Sequence, residues 1–202
     1  MKEVILGLDL STTASGYCLL DLKGNLLEYG VLKPSGKGLS KLIYPLKQLM
    51  KMIDLSKQID EIYDYYSKTY DIKTIVIEEI AGSRQRMGQK TLDGLHWILM
   101  HKFYSSGYIN KVSYYDVTGA KGWRHHLGLK LDAQDKLHNK EARKLNKKLS
   151  GKNKLPVYNA KHLAQRFVNE THDTEFDVEI NKTDNDICDA IAMTTSFVRR
   201  LK

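Results

Sequence analysis

Four carboxylates occupy places where a folded chain seldom leaves a charge. Asp9 stands in the apolar run EVILGLDL (3–10), and Glu78 and Glu79 close a second one, KTIVIEE (73–79). A carboxylate inside an apolar strand is costly unless it is paired or coordinates a cation. Asp186 and Asp189, in DNDICDAIAM (184–193), are spaced i, i+3 and so share one side of a helix. Each acid alone has an ordinary role. Asp9 can bond the Ser11-Thr12-Thr13 turn, Glu78 or Glu79 can end a strand edge, and Asp184 and Asp186 suit a helix start. Gathered on one spot, they would repel one another and require a divalent cation. A donor set of oxygens with no Cys or His favours Mg²⁺ or Mn²⁺ over zinc. Of the two neighbouring glutamates, Glu78 directly follows the apolar strand; Glu79 stays the alternative.

The charge of the chain points to what such a centre would act on. The 202 residues carry a net +8, unevenly placed: residues 84–166 hold 18 Lys+Arg against 5 Asp+Glu, and the remainder is net acidic. A basic middle in an acidic frame suits a polyanion that touches one face. Arg84, Arg86 and Lys90 follow Glu78 in a glycine-containing loop, where they would neutralise phosphates. Lys121, Trp123 and Arg124, with His125 and His126, form a second basic-aromatic cluster. Trp123 there either stacks on an unpaired base or is buried. Lys161 and Arg166, about a turn apart, are further phosphate candidates. His96 and Trp97 fit packing within their helix or a dimer contact.

The elements that would position these groups can be read from periodicity. Residues 3–10, 15–22 and 25–32 are strand-like, the last two joined through Lys23-Gly24-Asn25, which predicts an antiparallel meander. Met52, Leu55, Ile59, Ile62 and Tyr66 form one stripe of a helix running from Pro45, in its first turn, to about Tyr70. A strand at 73–79, a helix at 89–106 and a strand at 112–117 follow. Helices are expected near 133–149 and 158–170, and a last one starts at Thr183 as N-cap. This order predicts an α/β layered fold in one domain, 1–202, with a basic insertion at about 128–155. That insertion reads equally as a helix or a mobile arm. There is no run of about 18 apolar residues to span a membrane. The acidic start MKEVILGLDL is unlike a signal peptide, and Cys18 and Cys188 make no disulfide framework, so a cytoplasmic protein with reduced thiols is expected.

Three blocks carry a family resemblance. LGLDLSTTASGYCLLD (6–21), IVIEEIAGSRQRMGQK (75–90) and DNDICDAIAM (184–193) are similar, in that order, to the motifs of the RuvC-like Holliday junction resolvases. These belong to the RNase H-like nuclease superfamily. The resemblance implies a five-stranded mixed sheet with helices on both faces. It also implies Asp9, Glu78, Asp186 and Asp189 as catalytic ligands of two Mg²⁺ or Mn²⁺ ions. The implied activity is hydrolysis of a phosphodiester in branched DNA, leaving a 5′-phosphate, by a homodimer in a bacterial or phage-infected cell. The segment VTGAKGWRHHLGLK (117–130) looks more like phage-type relatives than the compact bacterial enzyme. Other readings remain: a same-fold nuclease acting on forks, flaps or RNA–DNA hybrids, or a catalytically silent DNA-binding module. GLDLSTTASG also resembles the first phosphate motif of sugar-kinase and actin-like ATPases, but a second such domain and an adenosine motif are missing.

Overall fold

The computed structural model describes residues 1–36, 38–79, 86–115 and 122–202. Five strands form one sheet: β1 (Lys2–Asp9), β2 (Ser15–Asp21), β3 (Leu26–Leu32), β4 (Tyr70–Glu78) and β5 (Val112–Tyr115), in the order β3-β2-β1-β4-β5. The first three are antiparallel, and β4 and β5 run parallel to β1. The meander is pinned at its β2–β3 turn by Asp21, whose carboxylate accepts from the backbone N–H groups of Lys23 and Asn25. Gly24 sits there at φ +94°, a conformation that costs glycine no Cβ clash.

Side chains alternate across a strand, so β1 feeds two cores. Val4, Leu6 and Leu8 pack with Leu55 and Ile59 of α1 (Leu46–Ser67) and with Leu95, Leu99 and Phe103 of α2 (Arg86–Ser105). Ile5 packs on the other face with Cys18, Leu20, Val76 and the last two helices, α5 (Ala160–His172) and α6 (Asp184–Arg200). The expected layers, helices on both faces of a mixed sheet, are therefore present. Two short-range details differ. Pro45 immediately precedes α1 instead of lying in its first turn. Thr183 occupies the N-cap of α6 without a side-chain capping bond, and Asp184 fastens that end instead, accepting the Asp177 N–H at 2.9 Å. The last residues of the expected 112–117 strand fall outside the described residues.

The basic insertion is ordered. After the four-residue α3 (Trp123–His126), Asp132 and Asp135 form a capping box that starts α4 (Ala133–Asn146). The chain then returns along α4 and is strapped to it twice. Asn139 exchanges two hydrogen bonds with the Tyr158 backbone, and Asn146 does the same with Leu155. Asparagine suits this job because its amide both donates and accepts.

Candidate metal centre

Strand alternation decides which acids can meet. On β1, Asp9 shares the face of Ile5, the α6 face; on β4, Glu78 shares the face of Val76, which packs in the same core. The parallel register pairs Leu8 with Ile77, so the next step brings Asp9 alongside Glu78. Glu79 takes the opposite face. It lines a hollow with Asp93, His96, Trp97, Met100 and Tyr114. The structure thus separates the two glutamates by one pleat, and only Glu78 faces the other acids.

Two glycines let α6 close on this face. Asp9 is paired with Gly16 in the β1–β2 register. A Cβ on Gly16 would lie 1.9 Å from the Asp186 carbonyl oxygen, and one on Gly7 would lie 1.7 Å from Thr194 Oγ1. Both residues are therefore glycine for close helix–strand approach, and the first sets the height of Asp186 above the sheet. Asp186 lies in the first turn of α6, and Asp189 follows one turn on, buried.

Trp123 and Arg124 close the cleft. Trp123 is fully buried, and its Nε1 donates to Glu78 Oε1 at 2.7 Å. Of its two readings, stacking on a base or burial, the structure takes the second: the ring lies in the core and is tied to the glutamate. Arg124 stacks on that ring, its Cζ 3.9 Å from the centroid. Its guanidinium donates to Asp189 Oδ2 at 2.9 Å and stands 3.5 Å from Glu78 Oε1. Asp189 Oδ1 and Arg124 Nε are both buried without a hydrogen-bond partner among the described residues.

The acids act on one another. Burial raises the Asp9 carboxyl well above its usual range, and the charges of Asp189, Glu78 and Asp186 raise it further against the opposing pull of Arg124. Burial also lifts Asp189, to about 6; Arg124 and Lys161 oppose this, while Glu78 and Asp186 add to it. Asp186 is raised by burial as well, with the Asn185 side-chain hydrogen bond, Lys161 and Lys33 opposing. Among the described residues no three Asp, Glu, His or Cys side chains are gathered closely enough to hold one metal ion in this conformation. The donors nevertheless fit a hard divalent cation. They are all oxygens, they lie in one another's field, one buried oxygen is orphaned, and a guanidinium stands where positive charge is needed.

The other basic residues named from sequence fall in several places. Lys90 is exposed on α2, and Lys161 is exposed at the start of α5, close enough to act on Asp186 and Asp189. Arg166 is engaged by Asp135, at 2.8 and 3.3 Å. Arg84, Lys121 and the Arg86 side chain lie outside the described residues. His96 is buried against Tyr114, its Nδ1 3.1 Å from the tyrosine oxygen, whereas Trp97 is 75% exposed. Cys188 is a core residue, as its size and surroundings suggest.

No family model matches the sequence, and no curated protein does. Solved structures do match in shape. Thermus thermophilus RuvC superposes with a TM-score of 0.57 at 15% identity, over 98% of this chain and 96% of that one. The fold is that of the RuvC-like resolvases. T. thermophilus RuvC in complex with Holliday junction substrate gives 0.55 at 13% identity, with the same coverage. The yeast mitochondrial Holliday junction resolvase Ydc2 gives 0.52 at 14%, over 96% of this chain and 77% of that one. Within this RuvC-like frame, the acids of β1, β4 and α6 come to one end of the sheet. Among the described residues no helix is long and apolar enough to cross a membrane.

Proposed function

We propose that the chain is a structure-selective endonuclease that cuts four-way DNA junctions. Asp9, Glu78, Asp186 and Asp189 would hold two Mg²⁺ or Mn²⁺ ions. The observation that carries this reading is the placement of Asp9, Glu78, Asp186 and Asp189 on one face at one end of the sheet of a RuvC-like fold, with Asp9 and Asp189 each in the field of Glu78 and Asp186. Bound there, the ions would supply an activated water and stabilise the leaving 3′-oxygen. The chain's own part is placement. Gly7 and Gly16 admit α6, Trp123 orients Glu78 by its indole N–H, and the buried aspartates await a cation. Lys90 and Lys161, with Arg84, Arg86 and Lys121, supply positive charge for phosphates on either side of the cut.

A four-way junction is two-fold symmetric, so paired cuts call for a homodimer. Trp97 and Tyr104 are seven residues apart on α2 and three-quarters exposed, which makes them the candidate seam. The test is a cleavage panel in Mg²⁺: four-way junction, fork, flap, RNA–DNA hybrid and linear duplex. The reading expects paired, symmetric nicks in the junction and little elsewhere. Preferential cutting of forks, flaps or hybrids would reassign the substrate, and binding without cutting in any metal would leave a DNA-binding module.

A further inference from the structure

Arg124 is an unusual occupant for an acidic cleft that is meant for metal. Its guanidinium spans Glu78 and Asp189, two of the four acids, from a flat platform made by Trp123. That platform is rigid, because Trp123 is fully buried and tied to Glu78. The fit is incomplete on both sides. Asp189 Oδ1 and Arg124 Nε each lack a partner among the described residues, and the Arg124 charge, with Lys161 and Lys33 contributing, is set against four carboxylates. The Arg124 side chain is also one-third exposed, so a path to solvent is open to it.

We propose that Arg124 is a resident counter-cation of this centre, which it occupies in the metal-free chain and yields to an entering divalent ion. The proposal rests on the metal-centre reading above. The residue serves the fold by damping repulsion among acids that must be close before any metal arrives. It also keeps them from collapsing onto a stray cation, since an ion has to displace an ion pair to enter. Once displaced, the guanidinium stays at the rim of the cleft, on the short α3 and beside the place a scissile phosphate would take. There its fork geometry suits a phosphate as well as it suited the carboxylates. Metal entry and phosphate capture are thereby coupled through one side chain.

The experiment is a calorimetric titration of Mn²⁺ into the full chain without DNA at pH 8. Arg124→Gln should bind Mn²⁺ about tenfold more tightly than wild type, the factor that roughly 1.4 kcal/mol represents. Arg124→Lys keeps the charge and should stay near wild type. Equal or weaker binding by Arg124→Gln overturns the proposal and leaves the metal centre standing; no binding by either protein overturns both. A second readout does not need that variant to fold. In a Trp97→Phe background Trp123 is the sole indole, and saturating Mg²⁺ should change its emission as the guanidinium leaves the ring. Unchanged emission with Mg²⁺ bound would overturn the displacement.

Discussion

Arg124 and Arg166 each reach an aspartate on another helix, at 2.9 and 2.8 Å, and each lies over an aromatic ring. The two aspartates nevertheless respond in opposite ways. Asp135 is held below its usual range, first by the Arg166 hydrogen bonds and then by the Asp132 N–H, with burial opposing. Asp189 is lifted to about 6 by burial, which Arg124 only partly offsets because Glu78 and Asp186 push the other way. The difference lies in the company each pair keeps. Asp135 has donors around it and finishes a helix cap, so its pair fastens the inserted α4 to α5. Asp189 has other carboxylates around it, so its pair relieves a strain that the fold has built in. Strained acids at a cleft mark a site, and satisfied ones mark a joint.

The contrast can be broken from either side. Asp135→Ala removes the returning half of the capping box and leaves the half-exposed Arg166 alone; it should destabilise the chain by about 2–3 kcal/mol in urea, discounted for that exposure. Protection from hydrogen exchange should fall first across 133–158. Asp9→Asn should do the reverse. In chelator it relieves a buried carboxyl set among three others, and at high pH should stabilise by on the order of 1–2 kcal/mol. A destabilised Asp9→Asn would mean the acids are not in conflict.

The pH dependence sharpens the same point. Asp189 has a folded value of about 6, above its unfolded one, so its contribution favours the fold at low pH and is lost as pH rises through 6. Asp135 is lowered, so its contribution is present above the ordinary aspartate range and is lost only as pH falls below it. The gain from Asp9→Asn should shrink as pH falls and the raised Asp9 carboxyl takes up its proton, while the loss from Asp135→Ala should persist down to about pH 4. Metal affinity, read by calorimetry, should weaken through the same window near pH 6, because a protonated carboxyl is no ligand.

Much of this frame could be read from the residues. Periodicity marks the meander, the α1 stripe and the α6 core face, and apolar strands that end in acids mark the site. What sequence leaves open has definite causes. Glu78 and Glu79 differ by one pleat, and both faces of β4 are apolar, so nothing in 73–79 says which face meets α6. The register of β4 against β1 supplies that. Trp123 beside Arg124 suits either a stacking platform or a core residue; its burial depends on packing against α6, far along the chain. The spacing Asn139…Tyr158 and Asn146…Leu155 shows no periodicity, since side-chain-to-backbone straps follow none. Gly16 carried a usable signal: a glycine inside an apolar strand points to close backbone approach, and here it faces Asp186.

If these four acids form the cutting centre, a single substitution should disarm it. Asp9→Asn keeps the side chain's shape and removes its charge. The measurement is cleavage and binding of a labelled four-way junction in Mg²⁺ by wild type and Asp9→Asn. The account predicts symmetric nicks by wild type, and a variant that binds the junction equally well and does not cut it. Cleavage retained by Asp9→Asn at a wild-type rate would contradict the assignment of the centre.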